Sequence, residues 1–150
     1  MQIIANNKRA LFQYFILEKI EAGIKLTGDE VKSVRAGKAS IKEAYAETKK
    51  GQLFLINSDI TPYHKSFNYN KIDAKRIRKL LVHKKEISKL QGKIEREGMT
   101  IIPLKIYFNE RGLVKLEIAV AKGKKLYDKR EDKKKKDWNK QKNRLLKKNN

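Results

Sequence analysis

LFQYFILEKIEAGIKL, residues 11–26, is the stretch from which the fold is read. It is rich in isoleucine and aromatic residues, and from Ile20 it alternates. Ile20, Ala22, Ile24 and Leu26 fall on one face, while Glu21, Gly23 and Lys25 fall on the other, the period of a half-buried strand. Gly23 inside such a run predicts a bulge or sharp bend, which a long strand needs if it is to curve. A second alternating run, LVKLEIAVA (113–121), places Val114, Leu116, Ile118 and Val120 inward and Lys115 and Glu117 outward. It forms a hairpin with TIIPLKIYF (100–108) across Asn109-Glu110-Arg111-Gly112. AYAETKKGQLFLINSDI predicts another hairpin, with strands at 44–48 and 52–60 around a Lys-Lys-Gly turn. The total is about five antiparallel strands, several of them long. A small sheet of this kind leaves exposed edges unless it closes on itself. The expected fold is therefore mainly β, a small closed antiparallel β-barrel.

About three helices flank it. Thr27 followed by Glu30 is a capping box, Val31 and Val34 form a short stripe, and Gly37 supplies the left-handed residue that ends the helix. Asp73 is read as the cap of a short basic helix, AKRIRKLL. A further helix carries Ile87, Leu90 and Ile94 and stops at Gly98. Residues 1–6 read as a loose lead-in and TPYHKSFNYN (61–70) as a loop.

The chain of 150 residues carries a formal charge of +21. There is no cysteine, so disulfides, a thiolate nucleophile and cysteine-ligated metals are excluded. No apolar run approaches the ~18 residues of a membrane span, and the N-terminus lacks the core of a signal peptide. A soluble, cytoplasmic protein with a polyanionic partner is expected. Membrane binding would need a strong apolar face opposite the charge, so nucleic acid is the better match. The last thirty residues hold fourteen Lys and Arg against four Asp and Glu. A segment this polar cannot offset its ordering entropy alone. It is either a solubilising tail or a cationic helix that folds against a polyanion, with Trp138 and Leu145 seven residues apart on one face. The expected division is an RNA-binding domain over 1–121 and a basic tail over 122–150, disordered when free.

Motifs for catalysis are thin. No GxxxxGK[ST] occurs, and His64 and His83 have no ligand spacing. Asp29-Glu30-Val31-Lys32 has the Glu-x-Lys shape of a metal-dependent nuclease. On a capped helix, however, residues two apart diverge by about 200°, and acids are expected at a helix N-terminus in any case. No catalytic residue, metal or cofactor is expected. What remains is a diffuse basic surface of Lys8, Arg9, Lys32, Arg35, Lys38, Arg76, Arg78, Lys79 and Lys115. Tyr45, Tyr63, His64, Tyr69 and Tyr107 lie among these cations. Charge that tracks a backbone plus rings that stack is the chemistry of RNA binding. Each residue taken alone could equally be a solvated lysine or a core tyrosine.

Several blocks resemble the SmpB family, the SsrA-binding proteins. They are Asn7-Lys8-Arg9-Ala10 before Tyr14-Phe15-Ile16, Glu21-Ala22-Gly23-Ile24, and the run Leu26 to Ala39 (LTGDEVKSVRAGKA). Arg78-Lys79-Leu80-Leu81 and the run Ala121 to Arg130 (AKGKKLYDKR) follow. The resemblance implies a barrel of oligonucleotide-binding type that binds the tRNA-like domain of tmRNA. It implies a monomeric adaptor in trans-translation, the rescue of stalled bacterial ribosomes, joined by elongation factor Tu indirectly through alanyl-tmRNA. Glu21, Leu81 and Lys115 match tmRNA-binding positions, and Lys8, Arg9, Arg35, Lys38 and Tyr45 lie in matching blocks. In the family the tail is helical in the empty mRNA channel beside the small-subunit decoding region. Lys124, Lys125, Tyr127, Asp128, Lys129, Arg130 and Trp138 fall in that tail, and Tyr127 departs from the histidine of some relatives. The alternative is a structural ribosomal protein with a small β-barrel.

Overall fold

β2 (Tyr14–Ile24) and β9 (Val114–Gly123) pair antiparallel along almost their whole length, from Tyr14 opposite Gly123 to Gly23 opposite Lys115. The structure, a computed structural model, describes residues 1–67 and 69–124. Its elements in chain order are β1 (Gln2–Asn6), α1 (Arg9–Gln13), β2, α2 (Gly28–Arg35) and β3 (Ala39–Ser40). After these come β4 (Tyr45–Lys49), β5 (Gln52–Ile56), β6 (Asp59–Ile60) and β7 (Arg78–Leu81). The chain then forms α3 (Lys84–Glu97), β8 (Thr100–Phe108) and β9. Every strand pairing is antiparallel.

The main sheet runs β1-β8-β4-β5-β7-β2-β9, and β8 also pairs with β9. The pairings from β8 through β4, β5, β7, β2 and β9 thus return to β8. This leaves β1 attached at β8's other pairing region, and β3 and β6 form a small separate pair. Leu53, Leu55, Leu80, Ile101, Ile106, Leu116, Ile118 and Val120 point into the core, joined by Val34 from α2 and by Ile87 and Leu90 from α3. The inward alternation expected for β9 is present. Its far end is also buried on the second face, where Ala119 and Ala121 pack with Ala10, Ile102 and Leu104 beneath α1.

The hairpin and cap chemistry agrees with the sequence. Lys50 (φ 51°) and Gly51 (φ 72°) make the two-residue turn between β4 and β5, where successive positive φ values match the strand twist. Thr27 and Glu30 form the reciprocal capping box. At the other end of α2, Lys38 N–H bonds to Ser33 O and Gly37 N–H to Val34 O, a Schellman pair around Gly37 at φ 77°. Gly98 ends α3 in the left-handed region, and among the described residues of the expected loop over 61–70 a short 3-10 turn begins at Tyr69.

Four expectations are corrected. Residues 2–6 are not a loose lead-in, because they pair with β8. Residues 9–13 form α1, so β2 begins at Tyr14 rather than Leu11. The strand expected over 52–60 is broken at Asn57, whose φ is 64°, so there are nine short and long strands among the described residues rather than about five. AKRIRKLL is not a helix. Asp73 accepts a bond from Lys75 N–H in a local turn, and Arg78–Leu81 is a strand held by β5 on one side and β2 on the other. Tertiary pairing has overridden the local preference of a Lys/Arg/Leu run.

Candidate nucleic-acid interface

The interface is built around Gly23, where β2 gains a second neighbour. Gly23 is opposite Leu81 of β7 on one side and Lys115 of β9 on the other, and Lys115 is in turn opposite Tyr107 of β8. One step along, Glu21 is opposite Glu117, which is opposite Lys105. No register shift occurs at Gly23; the irregularity in β2 lies between Ile16 and Glu18. Gly23 serves close approach instead. A Cβ there would sit 3.2 Å from Cβ of Leu81 and 3.5 Å from its Cδ1, so the missing side chain lets Leu81 lie down on β2.

Leu81 stays 52% exposed, and Glu21 is exposed as well. Glu21, Leu81 and Lys115 all line one open cleft of about 1240 Å³. Its remaining walls come from Lys79, from the β4–β5 turn at Lys50, and from the start of α3 at His83 and Lys84. Lys50, Lys79 and Lys84 share the wall with Glu18 and Glu86, so the cleft is cationic but not uniformly so.

Glu21 and Glu117, opposite each other on β2 and β9, are treated differently. Glu117 has Lys105 at 3.6 Å and Lys19 at 4.0 Å. Glu21 has no ion pair among the described residues; its partner is the Tyr107 hydroxyl, which donates to Oε2. Burial, that hydrogen bond, and the charges of Glu21 and Glu117 together push the Tyr107 phenol well above its ordinary range. It therefore remains a donor at neutral pH.

The other expected residues are more dispersed. Lys8 lies in a separate hollow of about 290 Å³ with Lys105 and Glu117, adjoining the cleft at Lys19, which lines both. Arg9 is 3.6 Å from Glu43, both exposed. Arg35 lies over the Phe108 ring at 5.7 Å, Lys38 is exposed just past α2, and Tyr45 is half-buried at the start of β4. None of Arg9, Arg35, Lys38 and Tyr45 lines the cleft.

Arg78 does not belong to the basic surface: it is fully buried. Its Nε lies 2.6 Å from Glu30 Oε2, while Nη1 donates to Ser58 O, Ser58 Oγ and Arg76 O and Nη2 to Ala74 O. Arg76 holds the other oxygen of Glu30. Burial alone would raise the Glu30 carboxyl. The Arg76 bond, the Thr27 N–H and the charge of Arg78 overcome this and hold it below its ordinary value of 4.5. Glu30 thus faces inward to two guanidinium groups, while Lys32 is outside, 5.2 Å from the Tyr63 ring. Among the described residues no group of three or more His, Cys, Asp or Glu is placed to hold a metal. No helix among them is long and apolar enough to cross a membrane.

Of the tail, Lys124 is described. Its Nζ donates to Leu11 O at 3.1 Å and sits 5.2 Å from the Phe15 ring. Lys125, Tyr127, Asp128, Lys129, Arg130 and Trp138, with the conditional helix, lie outside the described residues.

The model of the SmpB protein family matches residues 4–148. The chain belongs to the SmpB family. Relatives named SsrA-binding protein include one from Nitrobacter winogradskyi, 56% identical over 97% of this chain and 92% of its own length. Another, from Bradyrhizobium sp. (strain ORS 278), is 58% identical over 96% and 91%. A solved structure described as "tmRNA-SmpB: a journey to the center of the bacterial ribosome" has TM-score 0.66 and 50% identity. It covers 80% of this chain and 83% of that one. This SmpB-family chain holds Glu21, Leu81 and Lys115 on neighbouring strands. Sequence reasoning missed Gly23 as the reason Leu81 lies flat, and Tyr107 as the anchor of Glu21. The alternation of TIIPLKIYF could have located the second, since Tyr107 falls opposite Lys115 once the hairpin is in register.

Proposed function

We infer that this chain is an RNA-binding adaptor. It binds the tRNA-like domain of tmRNA and delivers it to stalled ribosomes for trans-translation. The observation that carries this is the meeting of Glu21, Leu81 and Lys115 on one cleft in an SmpB-family chain of +21. The fold is read as a closed barrel of oligonucleotide-binding type with the site on its outer surface, a reading that the ring of pairings supports. Residues 1–121 are the RNA-binding domain. Lys8 extends the footprint through the Lys19 hollow, and Arg9, Arg35, Lys38 and Tyr45 supply further contacts to phosphates and ribose. Residues 122–150 are the tail: free of fixed structure in solution, helical in the vacant mRNA channel, with Lys124, Lys125, Tyr127, Asp128, Lys129, Arg130 and Trp138 against the small subunit. Elongation factor Tu joins through alanyl-tmRNA, the protein acts in the cytoplasm as a monomer, and it catalyses no reaction itself. Glu30, the one acid with nuclease-like spacing, is occupied by Arg76 and Arg78.

The test is sequencing of RNA that co-purifies with the full chain after a high-salt wash. One tRNA-mimicking species of defined length, with the protein substoichiometric to ribosomes, is the expected result. Constitutive retention on every washed ribosome would point instead to a structural ribosomal protein.

A further inference from the structure

We propose that Lys124 is a positioning residue, clamped to α1 and to Phe15 so that the basic tail leaves the body in one fixed direction. This deepens the adaptor reading and rests on it.

The root of the tail is where a loose joint would be expected. β9 ends at Gly123, opposite Tyr14, the first residue of β2. A Cβ at Gly123 would meet nothing within 4 Å, so side-chain packing does not hold the backbone there. The next residue does. Lys124 Nζ donates to Leu11 O at 3.1 Å and lies 5.2 Å from the centre of the Phe15 ring. Both partners suit a cation, for separate reasons. Leu11 is in the last turn of α1, where carbonyls lack partners within the helix and form the negative end of its dipole. α1 is five residues long and has no basic residue of its own in that turn. Lys124 supplies the charge from 113 residues along the chain. The exposed Phe15 ring adds the attraction of an aromatic face. Leu11 and Phe15 lie on either side of the junction between α1 and β2, so the ammonium is held from two elements at once.

The clamp matters through leverage. In the helical reading of the tail, the stretch from Lys124 to Trp138 extends about 21 Å at 1.5 Å per residue. A small swing at the root becomes a displacement of several ångströms at the indole. The body that carries tmRNA and the tail that enters the mRNA channel must reach their sites together. A fixed exit lets one docking event place both, whereas a free joint adds the entropy of finding the channel.

The experiment uses the full chain, which has no cysteine, so a single Leu126→Cys can carry a nitroxide label beside the clamp. The spin-resonance spectrum of the free protein should be that of a restricted side chain. It should sharpen in Lys124→Met and in Phe15→Leu, and stay restricted in Lys124→Arg, which keeps charge and reach. In a reconstituted translation assay, Lys124→Met should slow rescue of stalled ribosomes about fivefold, the equivalent of one hydrogen bond of ~1 kcal/mol. Phe15 lies outside the tail, so its variant separates a clamp from a ribosome contact made by Lys124 itself. Phe15→Leu should slow rescue too, leave tmRNA affinity and the urea midpoint unchanged, and add nothing in a Lys124→Met background. An unchanged spectrum in Lys124→Met, wild-type rescue by Phe15→Leu, or additive losses in the double variant would overturn the clamp while leaving the adaptor reading intact. A wild-type chain that rescues no stalled ribosome would instead overturn that reading.

Discussion

Replacing Arg78 with leucine removes the only fully buried cation of the described body and should cost it about 3 kcal/mol. The figure follows from what the guanidinium touches. Four bonds to Ser58 O, Ser58 Oγ, Arg76 O and Ala74 O are lost, each worth ~1 kcal/mol net. Three of those acceptors are backbone carbonyls of the segments flanking β6 and leading into β7, which leucine cannot satisfy. Removing one partner of a buried ion pair typically costs ~3–5 kcal/mol. The lower end applies because Arg76 stays to neutralise Glu30. In urea, at a slope of roughly 2 kcal/mol per molar, the midpoint should fall by about 1.5 M with the slope unchanged. Arg78→Lys keeps the charge but not the planar fork of donors, and should fall between the two. A shift below about 0.5 M for Arg78→Leu would mean that these bonds are worth no more than those they replace in water, and would refute the reasoning.

The linked carboxylate predicts acid sensitivity. Because the folded Glu30 is held below 4.5, its contribution is complete above that pH and is lost as pH falls through the folded value. Urea midpoints of Glu30→Gln should therefore be lower than wild type at pH 7 and converge with it in strong acid. Lys115→Ala should weaken tmRNA binding and reduce the salt slope by about 0.7–0.9, measured by filter binding across a salt series, without moving the urea midpoint. Gly37→Ala forces φ 77° on a residue with a Cβ and should lower the midpoint by roughly 1 kcal/mol equivalent while leaving affinity unchanged. Truncation after Lys125 retains the Lys124 contacts and should leave folding and tmRNA binding nearly intact while abolishing ribosome rescue in a reconstituted translation assay. Proline at Lys134 should cripple the same assay, since an interior proline costs a helix ~3 kcal/mol.

The parts of the fold legible in the sequence were those where local chemistry and tertiary demand coincide. Thr27, Glu30 and Gly37 delimit α2 through bonds made within a dozen residues, and β9 alternates because one face meets the core. Legibility failed where a partner far along the chain decides. β1 is a strand only because β8, a hundred residues later, offers it an edge, and α1 exists because Ala10 covers Ala119 and Ala121. The site divides the same way. Alternation placed Glu21 and Lys115 outside, whereas the bond that orients Glu21 spans 86 residues and has no local signature.

Arg-Lys-Leu-Leu at β7 shows why its helical reading failed and what the strand is for. As a strand it turns Arg78 and Leu80 inward and Lys79 and Leu81 outward, so each face receives one charged and one apolar residue. Neither face has the pattern from which strands are recognised. The inward charge is tolerable because Glu30 was placed for it by the capping box of α2, which spends the same carboxylate on Thr27 N–H. The outward leucine is tolerable because Gly23 lets it lie flat. One side of the strand thus ties the 61–77 segment to α2, and the other supplies the cleft with its apolar surface and Lys79. The anchor and the interface share four residues. A loss of RNA binding in Arg78→Leu therefore reports displacement of Leu81, whereas the same loss in Leu81→Ala, with an unchanged urea midpoint, reports the contact itself.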